Sequence, residues 1–454
     1  MNADKREEND NVNDWREEYR RKVMSADDAV KLVKSGERWA TTHATAESMV
    51  LAEALCRRAD ELENVQLWQG LNWGNAPYCD PKYHGHLDVD TIFCGPATRI
   101  ATSQGRGEFA PMSVSMIDRA MATTRPVDGL LAHVTPPDEH GYCNLGVSVD
   151  FGASAIAHGK KIIAHVNRNM PWVYGNYNTI HVSQVDAFVE EDVPLLNIPP
   201  IDDTDPVSTQ IGEHIAALIP DGACLQMGQG KVPNAILKCL YDKKDLGVHT
   251  EMYVDAFVDM SKAGRITGAC KPFDRGRQTY AFAAGTQKLY DFLNNNPECM
   301  AAPVSYVNDI ARVSQIDNFM SINGAVDIDL YGQVSSESSG THHISGAGGQ
   351  QDFVMGAYLA KGGKSFICCS SAYTDKKTGE LKSRIRPTLL EGSVVTATRT
   401  NLHWLVTEYG KFNAKGKSTW ERAEGIISIA HPQFREQLIA EAEKMHIWRR
   451  SNKK

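Results

Sequence analysis

The sequence has little that would direct it to a membrane or to nucleic acid. No apolar run approaches the roughly 18 residues that a membrane-spanning helix needs, and the polar start, MNADKREEND, does not resemble a signal peptide. Lys and Arg number 48 against 56 Asp and Glu, which gives a formal net charge of −8. Because proteins that bind nucleic acid or anionic membranes concentrate Lys and Arg, we expect neither as a partner.

The sequence also lacks the cysteine and histidine spacings of metal sites and disulfide frameworks. Its ten cysteines include no C-x-x-C pair, and the adjacent Cys368 and Cys369 lie in an apolar run. Cysteines scattered in this way are typical of buried reduced thiols, which predicts a cytoplasmic protein. No HExxH or other paired histidine spacing is present, so we expect structural histidines and no metal site.

Several common nucleophile and nucleotide motifs are absent. The nearest match to the GxSxG of hydrolases is GVSVD, from Gly146 to Asp150, which favours a turn. The segment GQGKVP, residues 228–233, lacks the third glycine of a dinucleotide fingerprint. Leu225 and Val232 stand where a Walker A loop needs Gly and Ser or Thr. The sequence therefore does not support catalysis by a serine or cysteine nucleophile, or phosphate binding by a Walker A loop.

A repeated order of helices and strands is present instead. Ser25 to Asp28 has capping-box spacing and opens a helix that ends at Gly36, followed by the strand RWATTH and the helix AESMVLAEALCRR. From Ile211 the same order returns, with a helix, the buried strand ACLQM, the turn GQGKVP and the helix NAILKCL. We also expect strands in GLLAHV, KKIIAHVN, KSFICCSS, GSVVTATR and LHWLVTEYG.

This alternation predicts an α/β fold with two related, open, parallel-sheet domains, residues 1–200 and 201–454. We place the join in the proline-rich segment NIPPIDDTDP, residues 197–206. Ligands of parallel sheets bind beyond the carboxyl ends of the strands, so we expect a site shared between the domains. The alternative is that the repetition reflects only how common helix–strand alternation is.

Two glycine-rich segments are candidates for ligand loops. Residues 228–234 lie between a strand and a helix, where free N–H groups can bind an anion, although a simple structural turn is as good an interpretation. Residues 346–353, GAGGQQDF, precede an apolar helix, where backbone amides can approach a ligand or an oxyanion closely. Lys361 and Lys364 follow and are candidates for a phosphate contact, although surface lysines usually meet only water.

In the segment LGVHTEMYVDAFVD, residues 246–259, Glu251 lies between small and polar residues and directly before an apolar run. Glu251 stands beside Met252, Tyr253 and Val254, so we expect it to be partly desolvated. One interpretation is a structural carboxylate at a strand end, paired with Lys or Arg. The other is a nucleophile, since a carboxylate between two glycine loops is the remaining nucleophile in this chain.

Long segments of the chain resemble the acetyl-CoA hydrolase/transferase family of glutamate-dependent coenzyme A transferases. The resemblance runs from about Trp15 to the C-terminus and includes PPDEHGYCNLGVSVDF and VNRNMPWVYG in the first half. It is strongest from Leu246 onward, in LGVHTEMYVDAFVD, RQTYAFAAGTQKLYDFL, SINGAVDIDLYGQV, SGAGGQQDFVMGAYLAKGGKSFIC and ISIAHPQF. It implies two domains of the ribose-5-phosphate isomerase/CoA-transferase type.

The resemblance also implies a reaction and a set of site residues. The activity is transfer of coenzyme A (CoA) between a short-chain acyl-CoA, such as butyryl-CoA, and a carboxylate such as acetate. The alternatives are a transferase for 4-hydroxybutyrate or other hydroxyacyl groups, or a hydrolase that uses the same glutamate. Glu251 matches the residue that forms a transient glutamyl-CoA thioester, with Gln229 and Gly349 as candidate oxyanion donors. The residues that correspond to CoA contacts are Gly228, Gln229, Gly230, Lys231, Val232, Gly348, Gly349 and Lys364.

The same resemblance implies that CoA is a substrate and that no cofactor is bound permanently, and it favours a homodimer or homotetramer. One departure concerns the loop at 228–232. The family has an apolar second residue and a small fourth residue there, where this chain has Gln229 and Lys231. The backbone N–H groups of the loop are unaffected by that change. The polar amide and the cation predict a preference for a more polar substrate.

Overall fold

The computed structural model describes residues 14–199 and 205–449. In the N-terminal half the helices are α1 (Trp15–Lys22), α2 (Ala26–Ala29), α3 (Met49–Arg57), α4 (Pro96–Ser103), α5 (Ile117–Ala122) and α6 (Gly152–His158). The strands of this half are β1 (Arg38–Thr41), β2 (Val65–Gln69), β3 (Leu87–Thr91), β4 (Gly107–Phe109), β5 (Gly129–Val134), β6 (Tyr142–Asn144), β7 (Lys161–Val166), β8 (Thr179–His181) and β9 (Ala187–Glu190).

The C-terminal half follows the same alternation for its first strands and adds small sheets later. Its helices are α7 (Pro206–Ala216), α8 (Lys231–Cys239), α9 (Asp255–Lys262), α10 (Gln287–Leu293), α11 (Val304–Val307), α12 (Ile310–Val313), α13 (Gln350–Leu359), α14 (Thr419–Ser428) and α15 (Arg435–Lys444). Its strands are β10 (Cys224–Met227), β11 (Gly247–Tyr253), β12 (Gln278–Ala283), β13 (Cys299–Ala301), β14 (Phe319–Gly324), β15 (Asp327–Asp329), β16 (Val334–Ser335), β17 (Ser338–Ser339), β18 (His342–His343), β19 (Lys364–Cys368), β20 (Ala372–Thr374), β21 (Leu381–Ser383), β22 (Ile385–Arg386), β23 (Trp404–Thr407) and β24 (Gly410–Asn413).

The two large sheets share one strand order. The first has seven strands in the order β4-β3-β2-β1-β5-β7-β9, and the second has eight in the order β13-β12-β11-β10-β14-β19-β23-β24. Pairing is parallel throughout both sheets except at β24, which runs antiparallel to β23. The prediction of two related parallel-sheet units is confirmed. The predicted boundary at residues 200 and 201 lies outside the described residues.

Each sheet has a point where the chain reverses its direction of winding. In the first sheet the chain builds β1 to β4 outward on one side and then crosses to β5, so the reversal lies between β1 and β5. In the second sheet the corresponding reversal lies between β10 and β14. Ligands of open parallel sheets bind at such switch points, outside the carboxyl ends of the strands. The fold therefore places a candidate site in each half at β1 and at β10.

The first predicted elements form largely where the sequence indicates. Ser25 caps α2 through the N–H of Asp28, and α2 continues as a 3₁₀ turn only to Leu32 instead of reaching Gly36. The helix after the 228–230 loop begins at Lys231, earlier than the predicted start at Asn234. Pro233 is tolerated there because it lies in the first helical turn, where no intrahelical N–H bond is lost.

The prediction of a strand in GSVVTATR is wrong. This segment makes only a single antiparallel bridge, between Ala397 and Val334. Val394 and Val395 are each 37% exposed, so the segment does not supply the buried apolar face that favours a sheet strand. The valine pattern alone is therefore misleading at this position.

One hydrophobic core is continuous between the two halves. Its buried members extend from Ala40 in β1 to Val406 in β23 and include residues of both large sheets. The halves are also joined by backbone hydrogen bonds, from Val149 N–H to the carbonyl of Ala281 and from Ala283 N–H to the carbonyl of Val147. This shared packing brings the two switch points together. Within residues 14–199 and 205–449, no helix has the length and apolar character needed to cross a membrane.

Candidate active site

Glu251 is the one residue of β11 that is not fully buried. Its side chain lines a cavity of about 490 Å³ that lies between the two halves. Burial raises the pKa of Glu251 to about 7, although a hydrogen bond from Asn308 and the nearby His43 act to lower it. A fraction of the side chain is thus ionised at neutral pH and faces open space.

The only hydrogen bond that the described residues donate to the Glu251 side chain comes from Asn308. Its Nδ2 lies 2.8 Å from Glu251 Oε2. The ion pairs of the described chain do not include Glu251, so the interpretation of a strand-end glutamate paired with Lys or Arg is wrong. A carboxylate without a paired cation retains its lone pairs for attack on an electrophile.

The cavity takes residues from both halves of the protein. Its apolar wall includes five aromatic side chains, and several of its polar members lie near the carboxyl ends of β1, β10, β11 and β14. The aromatic side chains are Trp73, Phe93, Phe151, Phe282 and Phe353. The polar side chains include His43, Gln226, Gln229, Glu251 and Asn323. An apolar wall with a few convergent polar groups is the usual form of a small-molecule site.

Both predicted glycine loops contribute to this cavity. Gly348 and Gly349 line it just before α13, and Gly348 has a φ of +53°, which favours glycine. A Cβ atom on Gly349 would overlap both Glu251 Oε2 and Asn308 Nδ2. The chain therefore passes directly against the nucleophile candidate, which only a glycine allows.

The 228–232 loop is divided between two cavities. Gly228 and Gln229 line both the Glu251 cavity and a neighbouring cavity of about 410 Å³. Gly230, Lys231 and Val232 line only the second one. The loop thus forms the wall between the two spaces, and the exposed Lys231 lies on the side away from Glu251. A ligand that extends past Gln229 would pass from one cavity into the other.

Lys364 is not brought to the site. It begins β19, whereas Cys368 at the other end of that strand lines the second cavity. Lys364 is partly buried beside His403, and burial lowers its pKa. Its predicted contact with CoA therefore stays a prediction without support from either cavity.

A histidine–aspartate pair at the site was not predicted. His43 Nδ1 lies 2.5 Å from Asp150 Oδ2, and the ring packs between Phe151 and Phe282. Ser148 supports the pair, since its hydroxyl donates to Asp150 Oδ1 and accepts from the His43 N–H. GVSVD, predicted to be a turn, thus holds His43 through two of its side chains. His43 itself carried no signal in the sequence, because its partner lies 107 positions away.

Asn308 and Asp352 were also missed. Asn308 follows the short helix α11, in a stretch without any motif, and Asp352 lies in the first turn of α13 within the second glycine segment. Asp352 accepts from the N–H of Ser115 at 3.2 Å and from its hydroxyl at 2.8 Å. Burial raises the pKa of Asp352 to about 6. The only indication in the sequence that Asp352 lies near the site was its position close to Gly349.

Two of the histidines that were predicted to be structural, His133 and His165, have partners within the fold. His133 and His165 stack with ring centroids 4.3 Å apart, and burial lowers the pKa of both. The ring nitrogens of both residues are hydrogen-bonded, to Ser48, Asn167 and backbone carbonyls. Across the described part of the chain, no three His, Cys, Asp or Glu side chains are grouped so as to hold a metal ion.

Comparison with known proteins gives consistent matches along the chain. Residues 1–198 match the acetyl-CoA hydrolase/transferase N-terminal domain and residues 285–442 match the C-terminal domain of the same name. The chain is 50% identical to the butyryl-CoA:acetate CoA-transferase of Anaerostipes caccae, over 97% of this chain and all of that protein. It is 40% identical to the 4-hydroxybutyrate coenzyme A transferase of Clostridium kluyveri, over 95% of this chain and 99% of the other.

A solved structure shows the same architecture. The crystal structure of RipA from Yersinia pestis superposes with a TM-score of 0.89 at 36% sequence identity, covering 96% of this chain and 100% of that chain.

Proposed function

Because this chain belongs to the acetyl-CoA hydrolase/transferase family, we propose that it transfers CoA between a short-chain acyl-CoA and a carboxylate. The proposed donor is butyryl-CoA or a close analogue, and the proposed acceptor is acetate. The observation that carries the proposal is the Glu251 carboxylate, which faces a cavity between the two halves without a paired cation. CoA is a substrate in this reaction and is held by the protein only transiently.

The reaction uses Glu251 as a covalent nucleophile. Its carboxylate attacks the thioester carbonyl, the C–S bond breaks, and an acyl-glutamyl anhydride and CoA thiolate form. The thiolate then attacks the glutamyl carbonyl, which leaves a glutamyl-CoA thioester and releases the acyl group as its carboxylate. An acceptor carboxylate runs the two steps in reverse. One thioester replaces another, so the exchange needs no ATP and follows ping-pong kinetics.

Each step passes through a tetrahedral oxyanion that needs hydrogen-bond donors. The backbone N–H groups of Gln229 and Gly349 are our candidates, since both residues line the cavity and neither N–H donates to a backbone carbonyl within the described residues. An oxyanion-hole donor typically contributes about 3 to 4 kcal/mol to transition-state stabilisation. We assign the remaining residues of the 228–232 loop and Gly348 to contacts with CoA.

The aromatic wall supports a short acyl chain in the first cavity, with the CoA arm extending past Gln229 toward Lys231. The same wall limits access of water, which would hydrolyse an anhydride or thioester. The polar side chains of His43, Gln226 and Asn323 in the cavity favour a second candidate, transfer of a hydroxyacyl group such as 4-hydroxybutyryl. Competition between butyryl-CoA and 4-hydroxybutyryl-CoA in one reaction mixture measures that preference.

The test supplies butyryl-CoA with and without labelled acetate. The proposal predicts labelled acetyl-CoA that forms only with acetate present, with little free CoA. Free CoA that accumulates equally fast in both mixtures would identify a hydrolase instead. The Glu251→Gln variant is expected to form neither product above background. A variant that still exchanges would exclude Glu251 as the nucleophile.

A further inference from the structure

Arg99 is a cation that lines the Glu251 cavity and takes no part in the covalent steps of the transfer. Among the described residues that line this cavity, it is the only lysine or arginine. It lies in the first turn of α4, and Gly95 and Pro96, at the start of that helix, line the cavity beside it. The cavity therefore holds one permanent positive charge in addition to the Glu251 carboxyl group.

The guanidinium of Arg99 has no partner within the described part of the chain. Its Nε is buried without a hydrogen-bond acceptor, and no carboxylate of the described residues forms an ion pair with it. Two other arginines of the same half contrast with it. Arg106 donates to the carbonyl of Cys79 at 2.7 Å. Arg125 forms an ion pair with Asp90 at 2.6 Å. The positive charge of Arg99 is therefore not neutralised by the fold.

Helix stability does not account for a cation at this position. The N-terminus of a helix carries a partial positive charge, so a positive side chain in the first turn is disfavoured. Arg99 is also only partly buried, so part of its side chain remains accessible. An accessible guanidinium without an internal partner is able to pair with an anion that enters the cavity.

The start of α4 is fixed against the second glycine segment, which belongs to the other half of the protein. A Cβ atom on Gly346 would overlap the carbonyl oxygen of Ile92, so the two chains are in close contact. Gly349, in the same segment, lies directly against Glu251. The part of the wall that carries Arg99 is thus continuous with the part that lies against the nucleophile candidate.

The acid substrate is an anion that has to enter this cavity. Five aromatic side chains contribute to the wall, and moving a carboxylate from water to apolar surroundings is costly unless the carboxylate is paired. The second cavity, which we assign to the CoA arm, has its own cation in Lys231, whereas Arg99 lines only the Glu251 cavity. The planar guanidinium of an arginine can donate two parallel hydrogen bonds to one carboxylate.

We propose that Arg99 binds the carboxylate of the acid substrate, both the acceptor that enters in one half-reaction and the acid that leaves in the other. The proposal rests on the transferase function proposed above. A phosphate of CoA is the other anion that the reaction supplies, and an arginine that meets only water is the structural alternative. The kinetics of the two half-reactions separate these cases.

The two half-reactions are the reverse of each other, so a contact with the acid acts on both. It stabilises the transition state that joins acid and enzyme, whether glutamyl-CoA is formed from butyryl-CoA or consumed by acetate. A contact with CoA is already present in the glutamyl-CoA enzyme, so its loss slows only the formation. Hydroxylamine is a neutral nucleophile that attacks the glutamyl carbonyl through nitrogen, displaces CoA as its thiol and leaves a hydroxamate on Glu251. That reaction needs no carboxylate site.

The experiment compares the wild type with Arg99→Gln, Arg99→Lys and Arg119→Gln. Glutamyl-CoA enzyme is formed with subsaturating butyryl-CoA while butyrate release is followed, and it is then freed of small molecules and mixed with subsaturating acetate or with hydroxylamine. In Arg99→Gln we expect its formation and its reaction with acetate each to slow about tenfold to a hundredfold, with an unchanged rate toward hydroxylamine. Arg99→Lys keeps the charge but loses the planar fork, so we expect a smaller loss of the same two rates.

Arg119→Gln is the charge-matched control. Arg119 is an exposed arginine of α5 in the same half and lines neither of the two cavities. We expect all three of its rates to match those of the wild type. If Arg99→Gln does not fold, Arg99→Lys supplies the same comparison.

Three results would overturn the proposal. A slower formation alone in Arg99→Gln would identify a contact with a CoA phosphate. Rates equal to those of Arg119→Gln would show that Arg99 meets only water. Equal losses in all three rates, including that toward hydroxylamine, would show that Arg99 only supports the structure of the site.

The wild type separates failure of this proposal from failure of the proposed function. A wild type that yields no hydroxamate on Glu251 after butyryl-CoA and hydroxylamine would refute the covalent transfer itself. A wild type that forms both the hydroxamate and acetyl-CoA, with Arg99→Gln equally fast toward acetate, would refute only the role of Arg99.

Discussion

Glu47 and Glu251 are two carboxyl groups taken out of water, one in each half of the protein, and burial raises the pKa of both to about 7. Glu47 is enclosed by its partners, since it accepts from the Tyr78 hydroxyl at 2.5 Å and from the Asn72 amide. Glu251 has one donor among residues 14–199 and 205–449 and an open cavity in front of it. A raised pKa alone therefore does not distinguish a nucleophile from a structural carboxyl group.

The difference follows from the surroundings of the two carboxyl groups. Glu47 follows β1, accepts a hydrogen bond from Asn72 and is not among the residues that line the cavity. Glu251 lies in β11, directly against Gly349, where the absence of a side chain leaves room for the Glu251 carboxylate itself. The proposed role of Glu251 therefore depends on its exposure to the cavity and on the glycine at position 349.

The largest expected effect comes from exchanging each carboxyl group for an amide. We expect Glu251→Gln to lower kcat/KM about a thousandfold or more, because a neutral amide cannot attack the thioester. We expect Glu47→Gln to lower it less than about tenfold, since Glu47 does not reach the substrate. Steady-state transfer from butyryl-CoA to acetate measures both. Equal losses in the two variants would remove the distinction between the two carboxyl groups.

Filling the space beside Glu251 should have the next largest effect. The added methyl group in Gly349→Ala would displace Glu251 and Asn308, and we expect kcat to fall about a hundredfold. Gly152→Ala is the matched control, because its Cβ would meet only the Leu145 side chain, at 3.2 Å, in α6. A Gly349→Ala variant that folds and remains as active as Gly152→Ala would contradict this expectation.

The pH profile tests whether the ionised form of Glu251 is the reactive one. With a pKa of about 7, the carboxylate fraction and hence kcat/KM should fall about tenfold for each pH unit below that value. Above about pH 8, where nearly all Glu251 is ionised, kcat/KM should no longer rise with pH. If kcat/KM stays constant down to about pH 5, either the pKa of Glu251 is not raised or Glu251 does not take part in the reaction.

The last expected effect is on stability, and the substitutions Glu251→Gln and Glu47→Ala should change it in opposite directions. The pKa of Glu251 is higher in the folded protein than its ordinary value of 4.5, so ionisation of Glu251 costs stability as the pH rises from about 4.5 through 7. Glu251→Gln should thus gain up to about 3 kcal/mol over the wild type near pH 8 and little near pH 4.5. The melting temperature at the two pH values measures this gain, and an equal gain at both would contradict it.

Glu47→Ala should lose stability instead. It leaves the buried Tyr78 hydroxyl and the Asn72 amide without their acceptor, which costs about 2 to 4 kcal/mol. Its melting temperature relative to that of the wild type near neutral pH is the measurement. A Glu47→Ala variant that melts at the wild-type temperature would show that this network contributes nothing to the fold.

The features that could be predicted from the sequence depend on local patterns. The buried strand at 224–227, the glycine loops and Glu251 within an apolar segment are recognisable from neighbouring residues alone. His43 and Asn308 were not, because each acquires its role from a partner far away in the chain, Asp150 and Glu251 respectively. Lys364 was proposed from its proximity in sequence to a glycine loop, and its contact with CoA stays a prediction, since Lys364 begins β19 and Cys368, at the other end of that strand, lines the second cavity.

The most direct test of the central claim is to locate the covalent intermediate. The protein is mixed with butyryl-CoA without an acceptor, reduced with borohydride, digested and examined by mass spectrometry. We expect a CoA-dependent reduction of a single carboxyl group in residues 246–259, at Glu251, with the Glu47 peptide unchanged. Unmodified Glu251 in a sample that is active in exchange, or modification at another residue, would contradict it.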